Sequence, residues 1–193
     1  MNGMKFGLIT VLMFVVLGCT KAPVLAVYSF ELTPIPMVAH SKYRHKTIKV
    51  TYPKSLKESV SQKMHFSYSY NERGLYQNSE WSNNISKLLQ GTFIEVLSDA
   101  KLFKAVLFDT STAHEDYRLE STIFAFEHRV RGASSTAVIS IQFTLIDTNT
   151  GNLIKSKRFS YAEPTPSIDA KGYAMATNVI MSRLSSDLIG WLR

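Results

Sequence analysis

Three long stretches in the second half of the chain alternate apolar and polar residues with a period of two, and turn signals separate them. Residues 116–130 put Tyr117, Leu119, Ile123 and Ala125 on one face. Residues 136–147 point Ala137, Ile139, Ile141, Phe143 and Leu145 inward, and residues 153–162 form a return strand. The joints are Gly132-Ala133-Ser134-Ser135 and Thr148-Asn149-Thr150-Gly151-Asn152. Gly151 falls where a hairpin loop needs φ > 0. Strands this long, joined by loops this short, predict an antiparallel meander, and its apolar face demands a cover.

Two segments supply that cover. After a cap at Ser82, Asn83 or Asn84, the residues Ile85, Leu88, Leu89, Phe93, Val96 and Leu97 fall on one helical face. Near the end, Tyr173, Ala176, Thr177, Ile180, Met181, Leu184, Leu188, Trp191 and Leu192 do the same, with Thr165-Pro166 suited to an N-cap and first helical position. Shorter strands are expected at 28–32, 48–53, 65–70 and 103–108, whereas Leu75 to Trp81 reads ambiguously. The fold class is therefore α/β: a twisted, mostly antiparallel or mixed sheet of about five or six strands, with two amphipathic helices packed mainly on one face. In this register Phe124, Phe126, Val138 and Ile146 point away from the helices. They either meet another part of the chain or form a partner or ligand surface.

The chain has 193 residues, 45% of them hydrophobic and 11% aromatic, which excludes disorder as its main state. Its single cysteine excludes an internal disulfide and any zinc site built on two cysteines. The net charge of +7 favours anionic partners, and Lys42, Arg44, Lys46, Lys49, Lys54, Lys57 and Lys63 concentrate it. That stretch reads as a solvated strand face or as a contact for lipid headgroups.

The first residues give an address. A basic start precedes the apolar run Phe6 to Leu17, too short to cross a bilayer but suited to a signal peptide. The run ends in Val16-Leu17-Gly18-Cys19, which resembles a lipobox, with the Cys19 thiol as acceptor of a diacylglyceryl group. Two other readings stand beside it: a buried apolar cysteine ending an anchor helix, or ordinary cleavage after Val24-Leu25-Ala26. The organisation expected is a signal peptide over 1–18, a lipidated N-terminus and tether over 19–41, and one α/β domain over 42–193. Pro23, Pro34 and Pro36 hold the tether extended.

No catalytic constellation stands out. There is no Gly-rich phosphate loop, no nucleophile elbow and no His-Glu-x-x-His. His114-Glu115-Asp116 reads as an exposed loop, and neither a metal nor a cofactor is expected. The basic charge beside Phe66, Tyr68 and Tyr70 raises nucleic-acid stacking, but the ribonucleoprotein strand motif is absent and an exported chain meets little nucleic acid. A secreted hydrolase would need a catalytic pair that is not found.

The sequence resembles the ABC-type transport auxiliary lipoproteins, the PqiC/YmbA-like outer-membrane partners of MCE-type lipid transport systems. The resemblance runs from Cys19 to Leu192. After the lipobox come Tyr28 and Leu32, then Val50-x-x-Pro53-x-x-Leu56, Leu75-Tyr76 and Trp81. Asp116-Tyr117-Arg118-Leu119-Glu120 follows, then Phe126-Glu127, Leu145-Ile146-Asp147, Gly151, Phe159 and Trp191-Leu192. It implies a non-enzymatic protein carrying palmitate or a similar acyl chain at Cys19, on the periplasmic face of the outer membrane. The implied partners are an MCE-type periplasmic protein or its ABC permease complex, met singly or as a ring of identical copies. Trp81, Phe124 and Phe126 are candidates for the contact surface, because aromatics are enriched at contacts; Trp81 reads equally as packing at the helix start. An envelope lipoprotein regulating a cell-wall synthase or a secretion pore is the alternative.

Overall fold

The meander forms as expected. Strand β7 (Tyr117–Arg131) pairs antiparallel with β8 (Ser134–Asp147), which pairs antiparallel with β9 (Leu153–Pro164). Both connecting loops use a glycine at positive φ, Gly132 at 56° and Gly151 at 72°. The computed structural model describes residues 24–55 and 61–193. The signal peptide, Cys19, Leu56 and Lys57 lie outside the described residues.

The free edge of β7 is shared by three partners, all parallel to it. Strand β2 (Thr47–Val50) pairs at its start, β3 (Lys54–Ser55) in the middle and β4 (Lys63–Ser67) near its end. Beyond β2 lies β6 (Ala105–Phe108). Beyond β4 lie β5 (Arg73–Trp81), antiparallel, and then β1 (Ala26–Tyr28), parallel to β5. The described residues thus form one mixed sheet of nine strands, open rather than closed into a barrel. The pattern hid β5 because Gly74, Gln77 and Asn78 interrupt its apolar alternation; pairing on both sides makes it a strand.

Helices α1 (Ile85–Asp99) and α2 (Ala170–Leu192) cover one face. Asn84 caps α1, its side-chain oxygen accepting from the Ser86 amide at 2.9 Å. Inward go Ile85, Leu89, Phe93, Val96 and Leu97, with Phe93 edge-on to Phe143 of β8 at 5.0 Å. The start of α2 differs from the Thr165-Pro166 expectation. Asp169 is the cap, accepting from the Gly172 amide at 2.7 Å, while the Thr165 hydroxyl is used against Ser135. The buried face of α2 includes Tyr173, Ile180, Met181, Leu184, Leu188 and Leu192.

The stretch expected as a tether packs on the body from Ala26 onward. Tyr28, Phe30 and Leu32 alternate inward against the core, Ile35 packs there too, and Val38 and Tyr43 are buried. Polar bonds fix the path across α2: the Glu31 amide donates to Asn178 Oδ1 at 3.2 Å and the Thr33 amide to Ser182 Oγ at 3.3 Å. The Val38 amide then donates to the carbonyl of Ala100 at the end of α1, 2.9 Å away. The prolines keep this strap extended, and the alternation of its apolar residues glues it down.

A bulge decides the composition of the core. The β7–β8 register shifts between Ile123 and Ala125, so Phe124 is an extra residue. Ile123 faces the core opposite Ile141. Past the bulge it is Phe126, opposite Ile139, and His128, opposite Ala137, that face the core. The uninterrupted register had put Phe126 outside and Ala125 inside; the inserted residue exchanges them. Replacement of Trp81 by Ala is expected to cost about 3–5 kcal/mol of unfolding free energy, whereas Phe124→Ala costs about 1 kcal/mol, mostly its contact with Arg158. Urea unfolding of both variants checks the contrast.

Candidate functional site

The bulge and the strap together build a continuous line of rings. Phe30 of the strap meets Trp81 at 5.6 Å, and Trp81 meets Phe126 at 5.7 Å and Tyr173 at 5.5 Å. Tyr173 of α2 stacks almost parallel on His128, 5.0 Å away. His128 stacks on Tyr76 of β5, Tyr76 meets Phe66 at 5.0 Å, and Phe66 meets Tyr68 at 5.2 Å. The line therefore runs from the N-terminal strap, through the core, to the tip of the β4–β5 hairpin. Gly74 near that tip leaves room for the Phe66 ring. A Cβ there would collide with the Phe66 ring, which lies across the glycine from the neighbouring strand.

His128 is the titratable centre of the line and is fully buried. Its Nδ1 lies 2.7 Å from the Tyr76 hydroxyl, while its Nε2 has no hydrogen-bond partner among the described residues. Burial, and then the charge of Asp169, push the Tyr76 phenol up to about 12, so it stays a hydroxyl. Burial also lowers the His128 imidazole below its ordinary value, with Asp169 pulling weakly the other way. A second ring proton would place a charge between the Tyr173 and Tyr76 rings, with no acceptor for Nε2 among the described residues.

The other candidates fall in different places. Trp81 is 1% exposed and Phe126 8% exposed, so neither forms a surface in this fold: Trp81 packs against Phe30, Phe126 and Tyr173 at the start of α2, and the bulge turns Phe126 inward. Phe124 alone stays on the outer sheet face, half-buried beneath the Arg158 guanidinium at 3.8 Å from its ring centre. Val138 and Ile146 are half-buried on that face as well. The structure does not bring Trp81, Phe124 and Phe126 onto one surface.

The loop 114–116 is not a free exposed loop. Glu115 is buried and pairs with Lys49 at 2.7 Å and Arg118 at 2.6 Å. Burial raises its carboxyl, but the two cations outweigh that and hold it below the usual range. Asp116 accepts from the Thr47 amide at 2.8 Å and pairs with Lys46 at 3.0 Å. Part of the basic stretch is thereby neutralised as a clamp between β2 and β7. A groove of about 530 Å³ lies beside α1, with Phe30, Leu88 and Phe108 as its apolar lining and Lys87, Glu95 and Asp109 at its rim. Among the described residues no three His, Cys, Asp or Glu side chains are grouped to hold a metal. No described helix is long and apolar enough to cross a membrane.

His128 escaped the sequence pattern because it stands beyond the bulge, at a position the simple alternation had facing out. Its neutral form is favoured by folding. The stability this gives is complete above the unfolded value of about 6.5 and is lost as pH falls through the lower folded value. His65, lowered by burial and by Arg73, acts in the same direction. The urea midpoint is therefore expected to fall between about pH 7 and about pH 5, and His128→Asn is expected to flatten that fall, leaving the part due to His65. An unchanged profile in the variant would remove His128 as the cause.

The fold recurs in solved structures. Protein XCC0632 from Xanthomonas campestris superposes with a TM-score of 0.74 at 20% identity, covering 86% of this chain and 93% of that one. An uncharacterised protein superposes at 0.68 with 14% identity, covering 89% and 100%. The hypothetical protein CT253 from Chlamydia trachomatis superposes at 0.51 with 7% identity, covering 77% and 95%. At these identities the likeness is one of fold. No curated protein matches the chain. The family model described as ABC-type transport auxiliary lipoprotein component matches residues 28–188, from the strap through most of α2. The chain belongs to the ABC-type transport auxiliary lipoprotein component family.

Proposed function

We propose that this protein is anchored through lipid on Cys19 to the periplasmic face of the outer membrane, where it docks the periplasmic assembly of an MCE-type ABC lipid transport system. The family match supports a role auxiliary to transport. The observation that carries the anchoring part is the strap. Because residues from Ala26 onward are fastened across α2, a lipid on Cys19 would hold the whole domain close to its membrane. Cys19 stands seven positions before Ala26, a reach of about 25 Å when extended, against the much longer leash expected if the strap hung free. Two or more acyl chains make such an anchor stable.

The role is non-enzymatic. The domain offers surfaces: the outer sheet face with Phe124 beneath Arg158, and the groove beside α1. These suit docking to an MCE-type periplasmic protein or its permease complex, either as a single copy or as a ring of copies. Regulation of a cell-wall synthase or a secretion pore would use the same anchor with another partner.

Crosslinking of the full-length protein in intact cells, followed by mass spectrometry of what it captures, tests the partner. Recovery of an MCE protein or its permease is expected. Recovery of a cell-wall synthase or secretion pore instead would keep the lipoprotein and replace the transport role. Cys19→Ser is expected to abolish metabolic palmitate labelling, and labelling that persists would refute the anchor.

A further inference from the structure

The hairpin between β4 and β5 ends in two exposed tyrosines. Tyr70 is 87% exposed and Tyr68 is 50% exposed, with Leu75 also open on β5. The turn that carries them is well held. The Tyr68 amide donates to the Glu72 carbonyl at 2.9 Å, and the Glu72 amide donates to Ser69 Oγ at 3.1 Å. Arg131 at the end of β7 donates to the carbonyls of Ser67 and Tyr68, and Arg73 is exposed at the base of the turn. From below, Phe66 braces Tyr68 and ties the tip into the buried line of rings. An exposed aromatic pair on so rigid a mount has nothing of this chain to cover it among the described residues.

Strand direction says what covers it. β1 is parallel to β5, with Ala26 opposite Ser79 and Tyr28 opposite Trp81. Followed backward from Ala26, the chain leaves toward the Arg73 end of β5, the end that carries the tyrosines. From the level of Ser79 to that of Arg73 is about 20 Å along the strand, and the turn projects beyond. The seven residues back to Cys19 reach about 25 Å. The two lengths are comparable, so an extended segment would bring an anchor at Cys19 to the level of the hairpin tip. Tyrosines sit well at headgroup depth, the ring in the acyl boundary and the hydroxyl in water, and neighbouring arginines suit anionic lipid.

We propose that the β4–β5 hairpin tip, through Tyr68 and Tyr70, rests in the headgroup layer of the membrane that holds the N-terminal lipid and fixes the domain's orientation on it. This rests on the anchoring reading above. The surface recognised is that of a bilayer containing anionic phospholipid, not a soluble ligand.

The test uses the full-length processed protein in vesicles of phosphatidylethanolamine and phosphatidylglycerol. An environment-sensitive fluorophore is placed through Tyr70→Cys, and for comparison through Thr150→Cys in the exposed β8–β9 loop at the far end of the meander. Intact mass reports acylation of Cys19, and co-flotation reports vesicle binding. The expected result is a blue-shifted fluorophore at position 70, quenched several-fold more by nitroxide-labelled lipids than the one at position 150. An acylated, vesicle-bound protein with equal quenching at both positions overturns the proposal and leaves the anchor standing. A blue shift without lipid quenching means that a protein surface, such as a second copy, covers the tip, and overturns it too. An unacylated chain that does not float with the vesicles overturns the anchor and this proposal together.

Discussion

Between Ile123 and Ala125 the ladder of β7 against β8 gains one residue, and the side chains beyond it change face. Before the bulge, Leu119 and Ile123 line the floor beneath the helices. After it, Phe126, His128 and Val130 continue that floor. Without the extra residue, Ala125 and Glu127 would occupy those places, and the first turns of α2 would have a small side chain and a carboxylate beneath them. Tyr173 would lose its stacking partner, and Phe30 and Trp81 would lose Phe126. The strap, the line of rings and the support for the β4–β5 hairpin all depend on this one insertion.

The same event marks the border between what the sequence states and what it conceals. The meander, both helices and a cap among Ser82, Asn83 and Asn84 are legible because period-two and period-3.6 patterns are local and uninterrupted there. A bulge has no local signature of that kind, since either register of residues 124–131 shows alternation. Simple alternation therefore turns Phe126 and His128 outward. The strap is legible only in part, as a short strand expected at 28–32. Its prolines argue correctly for an extended chain, but an extended chain is compatible with both a free leash and a packed one. The alternation of Tyr28, Phe30 and Leu32 points to a half-buried strand, and Ile35 and Val38 carry the packing beyond it.

Charge shows a similar division between composition and placement. The basic stretch from Lys42 to Lys63 reads as one positive surface when counted along the sequence. In the fold, Lys49 is committed to the buried Glu115 and Lys46 to Asp116. Their work is to pin the short β2 to the start of β7 rather than to advertise charge. Arginines that are far apart in sequence lie at the same far end of the sheet: Arg73 is opposite Ser67, and Arg131 donates to the Ser67 carbonyl. Net charge therefore forecasts little about where an anionic surface would be met.

The parallel pairing of β1 with β5 also governs how the molecule bears a load. Tension on the N-terminus, directed along β1, would act parallel to the strand and across its hydrogen bonds, so the bonds would be strained together instead of being peeled off one after another. Behind them stands the strap, fastened to α2 at Glu31 and Thr33 and to the end of α1 at Val38. A drag on the domain would thus be shared between the sheet edge and both helices before any core side chain was disturbed. The N-terminal segment works as a harness: it divides mechanical force among the sheet edge and the two helices to which it is fastened.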